Sequence, residues 1–236
     1  MPQSSTPERT APLSGYFRAV AAIVWKDLRA EFRSKEMLNA MVVFSLLVIL
    51  IFNFALELDR GTRESVAAGL LWVTFIFAGT LGLNRSLALE KDRGSLDGLL
   101  LAPMDRSALL FGKALGNLIF MSVVELIILP VASVLFDLPQ LQPMLIVVVL
   151  LGTIGYAGVG TLLASMAINT RGRDMMLPIL LFPVILPLLM AAVRASGNIL
   201  AANGWDTIVP WINLLLVYDV IFIAIALMAF EHLVEE

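Results

Sequence analysis

Two acids and one leucine-rich segment are the residues of this chain best placed to do chemistry or mechanical work. Glu125 interrupts an otherwise uncharged apolar run between Lys113 and Asp137, and Asp219 interrupts another at about Thr207–Phe230. A charge in the middle of such a run is expensive in lipid. Each acid is therefore expected to be protonated, hydrogen-bonded to another helix, or turned toward a polar cavity. Either the two form a conformational latch or line a pathway, or they are buried acids satisfied by nearby Ser, Thr, Asn or Tyr groups. The residues leave both readings open. Other chemistries are thinly supplied. The chain has no cysteine and one histidine, His232 beside the C-terminus, so thiolate chemistry is excluded and histidine-based metal or acid–base chemistry nearly so. A proton relay through the two acids is disfavoured because no histidine accompanies them. No Walker sequence is present for ATP chemistry of its own.

The elements that hold these residues are membrane helices. Of 236 residues, 59% are hydrophobic and 15% charged, and the mean hydropathy is +0.91. A soluble domain of this size needs more polar surface. The apolar residues collect in long runs bounded by charge, at about 37–56, 65–84, 108–136, 144–168, 175–193 and 207–230. The first, Met37–Leu56, rises about 30 Å as a helix, which matches the hydrocarbon core. The fold class is an all-α membrane protein with six transmembrane helices in a domain at 37–230. With the N-terminus inside, thirteen of the sixteen Lys and Arg residues face the cytoplasm; only Arg60, Arg63 and Arg194 lie outside. Both termini, including the short tail 231–236, are then cytoplasmic. No signal peptide is expected, and residues 1–15, rich in Pro, Ser and Thr, read as a disordered tail.

Residues 16–36 form a different kind of helix. Phe17, Val20, Ala21, Val24, Leu28 and Phe32 recur every three or four residues, while Arg18, Lys26, Arg29, Glu31 and Arg33 occupy other faces. This amphipathic helix should lie along the inner membrane surface, with Arg29 and Arg33 near lipid phosphates and Trp25 among the headgroups. Its role is either mechanical or that of a plain anchor. Farther along, Gly152, Gly155, Gly158 and Gly160, followed by Thr161, Ala164 and Ser165, favour tight helix packing over a conduction path. Pro178 fits a first helical turn, whereas Pro183 and Pro187 remove backbone hydrogen bonds and predict a kink, either a hinge or a fixed bend.

The segment between the second and third runs is the most informative. Ser95 can cap a short helix bounded by Pro103, and within it Leu96, Leu99 and Leu100 make an apolar patch beside Asp92, Arg93 and Asp97. A cytoplasmic loop has no use for such a patch unless membrane or a partner covers it. A short amphipathic helix suits docking into the groove of a soluble motor.

Several stretches together resemble the heme exporter protein B (CcmB) family. They are Thr80-Leu81-Gly82-Leu83-Asn84-Arg85, then Glu90-x-x-x-Gly94-x-Leu96-Asp97-Gly98-Leu99-Leu100-Leu101-Ala102-Pro103, Arg106 and Gly112-Lys113. Arg173-Asp174-Met175-Met176-Leu177-Pro178 with Pro183 and Pro187, and Tyr218-Asp219, extend the match. The resemblance covers roughly residues 16–236 and leaves out the N-terminal tail. It implies a type-2 ABC exporter permease of the bacterial cytoplasmic (inner) membrane, serving cytochrome c maturation. It further implies a homodimer bound to two ABC ATPase subunits, working with a heme-handling membrane protein and a periplasmic heme chaperone. By the same resemblance Glu90, Arg93, Gly94, Leu96, Asp97, Gly98, Leu99 and Leu100 form the coupling helix that meets the ATPase. The surface helix contacts it as well.

Heme iron takes His, Cys, Met or Tyr as axial ligand. With no cysteine and the one histidine in the tail, the eleven methionines are by default core or lipid-facing. The chain is thus expected to bind no cofactor itself, with ATP on the partner subunit and heme as a handled ligand. It is not an enzyme on its own. A general type-2 exporter of a drug, lipid or glycan is the competing reading, and an intramembrane enzyme built on Glu125 and Asp219 fares worst. The charge bias yields a direct test of topology. Reporter fusions after 57–64 and after 194–206 should read periplasmic, and fusions at Lys91 and the C-terminus cytoplasmic. A periplasmic signal at Lys91 would overturn the six-span reading.

Overall fold

The computed structural model describes residues 13–55, 60–92, 106–138, 142–167 and 173–232. Seven helices make up these residues: α1 Leu13–Ser34, α2 Glu36–Ala55, α3 Arg60–Asp92, α4 Arg106–Leu135, α5 Pro143–Ala167, α6 Arg173–Leu200 and α7 Trp205–His232. All but α1 contain a stretch long and apolar enough to cross a membrane. The architecture is therefore the all-α, six-span one read from the sequence.

Some boundaries differ from the sequence reading, for local reasons. Helix α1 begins at Leu13, inside the segment expected to be disordered; Pro12, a residue that favours helix starts, stands just before it. Helix α3 extends beyond the run at 65–84 at both ends, because Arg60–Glu64 and Arg85–Asp92 contain good helix formers and no proline. Helix α6 does not stop at Val193 but continues to Leu200, since Ala195, Ser196, Gly197 and Asn198 allow a close helical contact without breaking the turn. The outer connection is thereby reduced to 201–204. The helix runs through Pro178, Pro183 and Pro187, and α4 and α7 likewise run through Pro130 and Pro210.

Two helix ends at the far side of the bundle from α1 close in the same way. Asp137 and Ala202 take positive φ values of 51° each, and the next amide reaches back five residues, Leu138 N to Ser133 O at 3.0 Å and Asn203 N to Asn198 O at 2.9 Å. This returns the last carbonyls to hydrogen bonds without glycine.

Helices α3 and α5 form the centre, with 72% and 67% of their apolar stretches buried, against 22% for α2 and for α7. Glycines allow that enclosure. A side chain at Gly152 would collide with the Trp72 ring of α3, one at Gly160 with Leu83 of α3, and one at Gly155 with Leu188 of α6 and Asp219 of α7. The Trp72 ring cannot swing aside freely, since its Nε1 donates to Ser196 Oγ of α6 at 2.9 Å. Gly158 on the same helix has open space. Gly152→Ala should therefore destabilise the protein by about 1–3 kcal/mol, while Gly158→Ala should stay within about 0.5 kcal/mol of the parent. Thermal melts in detergent measure both, and identical melts would argue against the close α3–α5 approach.

Candidate functional site

The α1 end of the bundle is fastened by charged side chains. Helix α1 turns three faces outward from its axis. Val20, Ile23 and Glu31 are buried, Asp27 is nearly so, and this face lies on α4 and the start of α2. A second face carries the exposed Phe17, Trp25 and Phe32, each about two-thirds accessible at 67%, 66% and 68%. The third carries the exposed Arg18, Arg29 and Arg33. The apolar stripe drawn from the sequence thus divides: Val20 turns inward, whereas Phe17 and Phe32 turn out beside Trp25. Glu31, placed among the outer polar residues by periodicity, belongs to the buried face.

Each buried acid of α1 has a definite partner. Asp27 Oδ2 accepts from Lys113 Nζ of α4 at 2.8 Å, and Lys26 approaches the other oxygen at 3.3 Å. The Lys113 side chain is only 4% exposed. Gly112 makes room for α1 beside this pair, whereas a side-chain carbon at Gly116 would meet Asp27 only at ordinary contact distance. A Cβ at Gly112 would lie 2.8 Å from Ile23 Cβ, and one at Gly116 would lie 3.5 Å from Asp27 Oδ2. Glu31 Oε1 accepts the backbone N–H of Leu38 at 2.8 Å, satisfying one of the free amides at the start of α2. Between them, Lys35 adopts φ 54° and turns the chain from α1 into α2 in one residue. Glu36 then pairs with Arg85 of α3. In the sequence Lys113 stands as a span boundary, an inside charge and part of the Gly112-Lys113 stretch of the family resemblance, and nothing there singles out Asp27. The signal was present in Gly112-Lys113-x-x-Gly116, two small residues bracketing a lysine.

Of the sequence-predicted coupling residues, Glu90 lies in the last turns of α3. Arg93, Gly94, Leu96, Asp97, Gly98, Leu99 and Leu100 fall outside the described residues, as does the short helix expected there. What the structure does define is both feet of that segment, the end of α3 at Asp92 and the start of α4 at Arg106.

The two intramembrane acids have unlike surroundings. Glu125 of α4 is buried, and the Thr153 hydroxyl of α5 donates to its Oε1 at 2.6 Å while also lying 2.8 Å from the Val149 carbonyl. It fits the reading of a satisfied acid. Asp219 of α7 is also buried, but neither of its oxygens has a hydrogen-bond partner among the described residues; Gly155 lies against one of them. Its neighbour Tyr218 donates to the Val184 carbonyl of α6 at 3.0 Å. That carbonyl lies between Pro183 and Pro187, so the phenol ties α7 to α6 within its proline-containing stretch. Thr153 and Gly155 are two residues apart, hence on nearly opposite sides of α5. The helix stands between the acids, and they form no carboxylate dyad. Thr153→Val should cost about 1–3 kcal/mol by stranding the Glu125 carboxyl. Asp219→Asn gives up no hydrogen bond and should cost less than Thr153→Val. Thermal denaturation of the two variants separates the environments, and the reverse order would refute these assignments.

Comparison with known proteins bears on the whole chain. Residues 18–236 match the CcmB protein family. Among curated relatives, the Paracoccus denitrificans heme exporter protein B is 29% identical over 175 residues, covering 74% of this chain and 80% of that protein. Its Rhodobacter capsulatus namesake is 30% identical over 170 residues, covering 72% and 78%. The Pseudomonas aeruginosa protein of the same name is 25% identical over 183 residues, covering 76% and 82%. A match that takes in α1 from Arg18, all six apolar helices and the paired glycines around Lys113 leaves one assignment: the chain belongs to the CcmB family.

Proposed function

We propose that this chain is the membrane-spanning subunit of an ABC transporter for cytochrome c maturation. In this reading it couples ATP hydrolysis on a partner ATPase to heme transfer, or to release of a heme-loaded periplasmic chaperone. Its relatives carry the name heme exporter protein B, which favours heme over the drug, lipid or glycan cargo of a general exporter. The protein sits in the inner membrane as a homodimer, both termini cytoplasmic, beside a heme-handling membrane subunit. The chain itself holds no cofactor and performs no catalysis.

The observation that carries the coupling role is the leucine patch at 96–100, set between the feet of α3 and α4. The α1 face bearing Phe17, Trp25 and Phe32 lies in the inner leaflet, with Arg18, Arg29 and Arg33 level with lipid phosphates. That orientation puts Asp92 and Arg106 at the cytoplasmic surface, where Glu90, Arg93, Gly94, Leu96, Asp97, Gly98, Leu99 and Leu100 meet the ATPase. Glu125 braces α4 on α5.

Replacing Leu99 or Leu100 with Asp puts a charge where an apolar anchor enters the motor, at a cost of about 3–5 kcal/mol if it stays unpaired. Insertion should be normal, because the change lies outside the spans. Each variant should accumulate in the membrane yet fail to retain the ATPase on co-purification and fail to support cytochrome c maturation. Arg63→Glu, on the opposite side, should leave the complex intact. ATPase retained at normal stoichiometry by the Leu99 and Leu100 variants would remove this segment from the coupling role.

A further inference from the structure

We propose that the Asp27–Lys113 pair is a positioning device that makes α1 and both feet of the 93–105 segment move as one body; this rests on the coupling reading above. The contacts form a closed path. Arg85 of α3 pairs with Glu36 at the start of α2, Leu38 of α2 donates to Glu31 of α1, and Asp27 of α1 pairs with Lys113 of α4. The path begins at one foot of the segment and ends at the other. A push on the segment therefore reaches α3 and α4 together instead of being absorbed by the connection between them.

Within that path the Asp27–Lys113 link differs from the others. Arg85 and Glu36 are 40% and 61% exposed, where solvent screens an ion pair, whereas Lys113 and Asp27 are 4% and 11% exposed. A helix that merely rests on a membrane surface can let its lysines reach water. Lys113 instead points under α1, next to Gly112, where a side-chain carbon would collide with Ile23. The apolar contact of Ile23 with Gly112 permits sliding and rotation; one ammonium on one carboxylate fixes both. Buried ion pairs contribute little net stability compared with apolar packing, and their best-attested use is to set register. Lys26, at 3.3 Å from the other oxygen and 41% exposed, screens Asp27 on its solvent side.

The test uses the full complex with its ATPase, and follows three quantities: ATPase retained per permease, ATP turnover, and cytochrome c maturation in cells. Asp27→Asn and Lys113→Met should retain the ATPase at wild-type stoichiometry and hydrolyse ATP within about threefold of wild type, while maturation falls about tenfold or more. The charge swap, Asp27→Lys with Lys113→Asp, should return maturation to within about threefold. If a single variant fails to accumulate, the neutral double variant Asp27→Asn/Lys113→Met removes both buried charges together. It should accumulate, bind the ATPase and still fail in maturation.

Full maturation by the neutral double variant overturns the proposal, as does a swap that restores nothing. Loss of the permease or its ATPase in step with maturation also overturns it, because the pair would then be structural only. If the wild-type chain retains no ATPase, the coupling reading itself has failed, and the wild-type lane shows that separately from any variant.

Discussion

Lipid tails are as apolar as leucine, so exclusion of water cannot hold the six apolar helices against one another. Close approach of backbones must do it, and the rest of this structure depends on α5 providing that approach. Gly152, Gly155 and Gly160 open three positions along one helix, two filled from α3 by Trp72 and Leu83, and one filled by Leu188 of α6 with Asp219 of α7. The gain at each is dispersion between atoms in full contact, small per pair and large in sum. Because the three positions face α3 on one side and α6 and α7 on the other, α5 becomes the centre about which the bundle is ordered. Helices α2 and α7 remain at the periphery with apolar faces turned outward.

Polar groups add direction to this packing. Tyr156 of α5 and Thr80 of α3 meet at 2.7 Å beside the Ile76 carbonyl, Asn117 of α4 donates to Thr161 of α5 at 3.0 Å, and Asn53 of α2 donates to the Leu135 carbonyl of α4 at 2.6 Å. In hydrocarbon an unmade bond is costly, so each of these fixes one helix against its neighbour at a defined height. In α6, Tyr218 of α7 donates to the Val184 carbonyl between Pro183 and Pro187.

The helices and their number were legible because lipid imposes a composition that no other environment requires. Twenty uncharged residues between Glu36 and Glu57 permit one reading, and α2 runs Glu36–Ala55. The end of α6 was not legible. Arg194 marks where charge returns, but a helix need not stop where a membrane does, and small residues carried it on to Leu200. Helix α1 shows a different limit. Periodicity finds one apolar stripe per helix, whereas α1 must satisfy two apolar environments, protein on one side and an open face on the other. Its stripe divided between them, and the acids Asp27 and Glu31 went to the protein side because their partners are other helices. A one-dimensional pattern contains no record of Lys113, 86 residues away. Glu125 and Asp219 looked alike in sequence for the same reason: only the neighbouring helix decides whether a hydroxyl or a glycine faces the carboxyl. The leucine patch at 96–100 was read on motif alone, and it lies outside the described residues.

The unequal surroundings of the two acids give the two sides of α5 different kinds of contact. Side-chain hydrogen bonds of α5 reach α3 through Tyr156 and α4 through Thr153 and Thr161, and α4 is joined to α1 through Lys113. On the other side, Tyr218 joins α7 to α6. Where α5 meets that second pair, at Gly155, it touches Leu188, the Tyr218 ring and the unbonded Asp219 carboxyl. Moving α4 against α5 must break the bonds at Thr153 and Thr161, each worth about 0.5–1.5 kcal/mol and more where a buried group is left stranded. Moving the α6–α7 pair past α5 at Gly155 sacrifices contact area, and at Asp219 it sacrifices no hydrogen bond at all. Directional bonds thus join α4, α5 and α3, and the Trp72–Ser196 bond ties α3 to α6, whereas the Asp219 carboxyl beside Gly155 adds none.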